Sequence, residues 1–281
     1  MIRMIRMMKK KVLCFILCIL CIALFLFFLF IFLREEKREN HEEEKKEEKK
    51  EEKKVKFLLF LSKDELENKL KENDSFYKTL NETDLKARRV KSVDEYINNI
   101  KHSVSEYNES QKQKLKECVL TANKKLEKIN NKWFSGKDCA KLPWIFGCIK
   151  GKLYEDGLPH TIKDVIILSS ENVDILNNNQ LVDTIIHEKV HIYQKNDVNI
   201  INNYLSEYNI KRLKRREKMD KIRANPDIDE WLYEKDGVMY GAFYNSNEPF
   251  SITDVYMKGS QINEHPFEEM AIKITKIIKE G

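Results

Sequence analysis

Two histidines four residues apart bracket a glutamate in the stretch His187-Glu188-Lys189-Val190-His191. On an α-helix, positions i and i+4 lie one turn apart on the same face, so both imidazoles can reach one metal ion. Glu188 then projects about 100° around the axis from His187 and can address a water beside that metal without ligating it. Zn2+ suits such a pair of imidazoles and lowers the pKa of its water to about 7, and a glutamate can take that proton and pass it to a leaving amine. These residue types at this spacing point to zinc-dependent hydrolysis, with His187 and His191 as ligands and Glu188 as base. The inert alternative is a surface helix carrying two histidines and a salt-bridging glutamate. Lys189 projects opposite the histidines and is expected to face solvent.

A catalytic zinc site normally takes a third protein ligand and keeps one open position. Asp197 stands at the last place of an H-E-x-x-H-x-x-G-x-x-H/D pattern, but Gln194 stands where glycine would let the chain turn back. Further on, Glu264-His265-Pro266-Phe267-Glu268-Glu269-Met270-Ala271 opens with a proline suited to a helix start, puts Glu268 in the first turn, and follows it three residues later with a small alanine. Glu268 is the leading third ligand; Glu269 and His265 compete with it.

With these two motifs, and the strand, helix, helix order around them, the chain resembles the gluzincin metallopeptidases, the thermolysin-like zinc enzymes. The resemblance implies His187, His191 and Glu268 as metal ligands, Glu188 as base, a zincin-like catalytic half, and a peptide or protein substrate. It also implies an edge strand before the motif helix, along which the substrate lies by main-chain pairing, a part that falls to Val165–Leu168. The 77-residue gap from His191 to Glu268 is longer than in many of these enzymes, and Ile272 stands where an aspartate sometimes follows the glutamate. Hydrolysis needs a donor for the oxyanion: Tyr244 and His160, with Tyr240 beside them, are the candidates.

The elements that must position these residues are legible from pattern. The β-prone run Val165–Leu168 leads through an Asn-rich turn at Asn177, Asn178 and Asn179 into a helix that begins near Gln180 and buries Leu181, Val182, Ile185, Ile186 and Val190. A second helix is expected over roughly Ile200 to Met219, and a last one from about Pro266 to Lys279. Arg223-Ala224-Asn225-Pro226-Asp227 reads as a helix exit and turn with a structural role. Every glycine and proline lies at or after Gly136. Before that break, residues 57–135 read as an all-helical subdomain, with a capping box at Ser62 and Glu65 and stripes such as Leu66, Leu70, Tyr77 and Leu80. Residues 136–281 form the zinc-binding region, and the expected fold class is α+β, mainly helical.

Residues 1–11 are a basic flank, and residues 12–33 are 22 apolar or cysteine residues without a charge, enough to span the roughly 30 Å hydrocarbon core of a bilayer as a single transmembrane helix. Residues 34–56 are a Glu/Lys spacer that cannot bury a core. The purely basic leading flank favours the catalytic region on the extracytosolic side. The 51 basic and 46 acidic residues nearly balance, which argues against a nucleic-acid binder. Cys139 and Cys148 bracket a short loop that a disulfide would close outside the cytosol, or they are reduced thiols. Asn73, Asn81 and Asn108 stand in glycosylation sequons. The alternative to an enzyme is a membrane-tethered scaffold that keeps a metallopeptidase-like fold without turnover.

Overall fold

Two strands that are apolar almost throughout, β5 (Trp144–Ile149) and β7 (Val165–Ser169), lie parallel and adjacent in a five-stranded sheet. The computed structural model describes residues 58–72, 74–216, 221–258 and 263–280. Parallel strands of this composition are covered on both faces. Trp144, Phe146, Cys148, Ile166 and Leu168 meet one core, and Ile145, Ile149, Val165 and Ile167 the other. β6 (His160–Ile162) pairs antiparallel with β7, while β1 (Leu58–Phe60) and β2 (Val104–Ser105) both pair with β5.

On one face lie α1 (Lys63–Lys71), α2 (Asp74–Tyr77), α3 (Glu82–Ala87) and α4 (Val93–Ser103), which contribute Leu66, Leu70, Tyr77, Tyr96 and Ile100. Gly147 makes their approach to the sheet close: a Cβ there would stand 2.5 Å from Leu66 Cδ1 and 2.9 Å from Ile167 Cδ1. The other face carries α5 (Glu109–Leu126), α6 (Gly136–Lys141), α7 (Ser170–Ile175), α8 (Asn178–Asn196), α9 (Val198–Glu207) and α10 (Pro266–Glu280). The fold is α+β and about half helical, with ten α-helices among the described residues. α8 is the motif helix. Asn177 caps it in a reciprocal box with Gln180, which answers its first free amides.

Several expectations need correction. The N-terminal stretch is not all helical, because β1 and β2 join the sheet and β3 (Asn130–Asn131) pairs with β4 (Phe134–Ser135). The helix expected over 200–219 ends at Glu207, where Asn209 adopts a left-handed φ of 53° and the amide of Ile210 turns back onto the carbonyl of Leu205. Beyond it, Lys211–Arg215 is a strand, β8, paired with β9 (Trp231–Lys235). Its arginines rest on aromatic faces, Arg212 5.2 Å and Arg215 5.4 Å from the Trp231 ring, so no apolar alternation marks it in sequence. Cys139 and Cys148 form no disulfide; both thiols are free and buried, and burial pushes each up to about 12. The expected anchor at 12–33, the spacer at 34–56 and the sequon at Asn73 fall outside the described residues.

Lys189 is the largest local surprise. It is fully buried, its Nζ donating to the carbonyls of Leu142 at 2.8 Å and Pro143 at 2.5 Å, 4.6 Å from the Trp144 ring. The side of α8 opposite the histidines faces the core, not water. Burial pushes this amine down to about 7 from its ordinary 10.5. Between those values the unfolded chain binds the proton and the folded one does not, so stability rises with pH by up to about 1.4 kcal/mol per unit. Lys189→Met is expected to lose that slope, and urea unfolding at pH 7, 8 and 9 would show the gap between the two proteins changing. A gap constant with pH would remove Lys189 as its source.

Candidate metal centre

His187 and His191 leave α8 on one face, with their Nε2 atoms 3.1 Å apart. Glu268, in the first turn of α10, brings Oε2 to 3.1 Å from His187 Nε2 and Oε1 to 3.5 Å from His191 Nε2. The three ligand atoms lie within 4.8 Å of one another. Donors at about 2.0–2.1 Å from a tetrahedral zinc stand about 3.3–3.4 Å apart, so the side chains have the spacing such an ion requires. The field has the matching sign. Burial works against a charged His191, yet the carboxylates of Glu268, Asp227 and Glu188 together outweigh it and lift His191 to about 9. Burial likewise opposes ionisation of Glu268, and His191 and His187 together hold it well below the usual carboxylate range.

The residues behind these three side chains fix their aim. His191 Nδ1 donates to Gln194 Oε1 at 2.9 Å, so that in the neutral, metal-binding form of the ring the Nε2 lone pair faces the cluster. Gln194 Nε2 donates in turn to the carbonyl of Phe267 at 3.0 Å, tying α8 to α10. Ala271 is fully buried, and its small side chain lets α10 lie close against α8. Asn225 Nδ2 donates to Glu268 Oε1 at 3.2 Å and to Glu264 Oε1 at 2.6 Å, and Glu264 is paired with Arg223. The segment Arg223–Asp227, read from sequence as a turn with a structural role, therefore lines the cleft and supports Glu268. Nothing in its composition marks it, because its partners lie some 40 residues away in the chain.

The rival ligands are committed elsewhere. Glu269 accepts from Tyr204 at 2.9 Å, Tyr240 at 2.5 Å and Lys273 at 2.6 Å. His265 stands 3.2 Å from Asp229 and accepts from the amide of Phe267. Asp197 caps α9, accepting from the amide of Asn199 at 2.9 Å. The oxyanion candidates fare similarly. Tyr244 is buried with its hydroxyl on Asp84 at 3.0 Å, and Tyr240 serves Glu269. His160 does line the cleft, but its Nδ1 donates to the carbonyl of Leu158 at 2.9 Å, so a neutral ring offers only an acceptor at Nε2.

Glu188 is 4% exposed and turns into a cleft of about 170 Å³ shared with His160, Asn225 and Asp227; its Oε2 has no hydrogen-bond partner among the described residues. Burial first, and then the charge of Asp227, push its carboxyl well above the ordinary value. The strand beside it is β6, so Val165–Leu168 is an interior strand and not the edge expected from sequence. The edge itself is occupied. The amide of Thr161 donates to Asp227 Oδ1 at 2.5 Å, and its carbonyl accepts from Lys195 Nζ at 3.2 Å. Pro159, two residues back on the same edge, has no amide hydrogen.

The chain matches no protein-family model, no curated protein and no solved structure. Among the described residues, no helix is long and apolar enough to cross a membrane.

Proposed function

We propose that this chain is a zinc-dependent metallopeptidase, with His187, His191 and Glu268 holding the ion and Glu188 acting as general base. The observation that carries the reading is the placement of three ligand atoms at tetrahedral spacing beside a buried, unpartnered carboxylate. Zn2+ bound there would supply a Lewis acid to polarise a carbonyl and acidify a water. The chain's own residues do the rest. Gln194 holds His191 in the ligating tautomer, Asn225 steadies Glu268, and Glu188 stands in the same cleft to take a proton and deliver it to the leaving nitrogen. A structural zinc site is normally closed by four protein ligands, whereas the described residues offer three in this cluster and leave a position open, which favours catalysis over scaffolding. We include the apolar run at residues 12–33 in the proposal as a single membrane anchor, with the catalytic region on the extracytosolic side.

The test is metal content. Full-length protein purified in detergent is expected to carry about one zinc per chain by elemental mass spectrometry, and His187→Ala prepared identically should carry almost none. Folded wild-type protein that takes up no zinc when it is supplied would sink the proposal.

A further inference from the structure

Ala224 lies between Arg223, which pairs with Glu264, and Asn225, which donates to Glu264 and Glu268. Both of its backbone groups are taken by one buried ion network in the N-terminal helical layer. The amide donates to Asp84 Oδ1 at 2.8 Å, and the carbonyl accepts from Arg88 Nη2 at 3.0 Å. Asp84 lies in α3, and Arg88 closes that helix one turn on. Asp84 is fully buried and its carboxylate is saturated: besides Ala224 it accepts from the Tyr244 hydroxyl at 3.0 Å, the amide of Asn81 at 3.1 Å and Arg216 Nη1 at 3.2 Å. Arg88, 6% exposed, lays its guanidinium on Glu155, Nε to Oε1 at 2.7 Å and Nη2 to Oε2 at 2.9 Å. Such a two-point pairing fixes a guanidinium in place as well as in charge.

The peptide planes on either side of Ala224 are therefore both pinned, and the second of them carries the backbone nitrogen of Asn225. From the other side Pro226 disfavours a helical backbone at Asn225. The side-chain oxygen of Asn225 accepts the amide of Asp227 at 2.8 Å, which turns Nδ2 toward the two glutamates. The buried charges of α3 thus end on the residue whose two neighbours contact Glu264 and Glu268. We propose that Asp84 and Arg88 are positioning residues of the metal centre: by clamping the backbone of Ala224 they aim Asn225 at Glu268 and so set how tightly the ion is held. The inference rests on the zinc reading above and extends its site to a helix that touches neither the ion nor its three side chains.

Zinc affinity of the full-length protein in detergent, read by competition with a chromophoric chelator, tests it through a double-mutant cycle. Arg88→Lys keeps the charge beside Glu155 but loses the planar fork that also reaches Ala224. It should weaken zinc binding about 10-fold, the lower end of what groups behind metal ligands are worth, and Asn225→Ala should weaken it about 10- to 100-fold. Because the clamp acts through Asn225, adding Arg88→Lys to Asn225→Ala should cost less than about twofold more. Ile100→Val, which loosens the core of the same helical layer without touching Ala224, should leave zinc affinity within about twofold. A purely structural network would lower the urea midpoint of Arg88→Lys and leave its zinc affinity at the wild-type value. That result, or an equal loss with and without Asn225, would overturn the inference while leaving the zinc reading intact. If wild-type protein binds no zinc, the zinc reading falls and the inference with it. If Arg88→Lys shows no cooperative unfolding, wild-type protein decides by amide hydrogen exchange. A clamp that tightens zinc is tightened by zinc to the same degree, so zinc should slow exchange in residues 82–88 and 222–227 more than in α1. Equal slowing in all three would overturn the inference.

Discussion

Glu188→Gln is expected to keep about one zinc per chain and to lose peptide hydrolysis by a factor of about 10²–10⁴, the usual worth of a positioned general base. The two readouts separate because Glu188 is not one of the three clustered ligands, yet shares the cleft with His187 and Glu268. Glutamine has nearly the same shape, so the packing that leaves Glu188 only 4% exposed is retained. What disappears is the capacity to hold a proton on that side chain and release it. A membrane-tethered scaffold has no use for this capacity, and its metal content would be indifferent to the change. The measurement is kcat/KM on a peptide identified from a library, together with zinc content of the same preparation. Hydrolysis within threefold of wild type would remove Glu188 from the mechanism; loss of zinc alongside activity would mean that Glu188 contributes to holding the ion.

How much of this site could be read in the sequence depended on whether the geometry was local. His187, Glu188 and His191 sit within one and a half turns of one helix, so spacing alone put both imidazoles on a face and the glutamate beside them. Glu268 was legible because a helix start and a small residue at Ala271 surround it. The opposite holds for Gln194 and Asn225. Gln194 occupies the place where a different zinc pattern carries glycine, and its role appears when Phe267 arrives from 73 residues away to accept its amide. Asn225 reaches Glu268 across 43 residues, through a turn whose polar composition looks like any loop. Lys189 departs from the sequence expectation for a different reason. Helical spacing fixes which way a side chain projects, but only the fold decides whether that direction is water, and here it is the strand end at Trp144 and the turn before it. The same limit applied to the edge strand. Val165–Leu168 is the most strand-like run before the motif helix because it is buried on both faces, and that burial is what places it inside the sheet.

The adjacent pair Glu268 and Glu269 offers the sharpest test of the site, because two neighbouring carboxylates are expected to respond in opposite ways. Glu268→Gln removes the one carboxylate from a proposed set of two imidazole nitrogens and one carboxylate oxygen. Structural zinc sites with four ligands are worth about 10–16 kcal/mol, so one ligand of such a set accounts for about 3 kcal/mol, and by that measure zinc affinity should fall on the order of 100-fold. Glu269→Gln should leave zinc affinity within threefold and instead cost stability. Burial raises the carboxyl of Glu269, but Lys273 and the hydroxyls of Tyr240 and Tyr204 outweigh it and hold it below its ordinary value. A carboxyl depressed by folding contributes stability above its unfolded pKa and loses it as pH falls through the folded one. The deficit of Glu269→Gln relative to wild type, about 1–3 kcal/mol for a broken buried network, should therefore be full near pH 7 and shrink toward pH 3 in urea unfolding. Competition with a chromophoric chelator gives the zinc affinities. If Glu269→Gln loses the metal and Glu268→Gln retains it, the third ligand has been assigned to the wrong neighbour, and α10 must rotate by about 100° to present it.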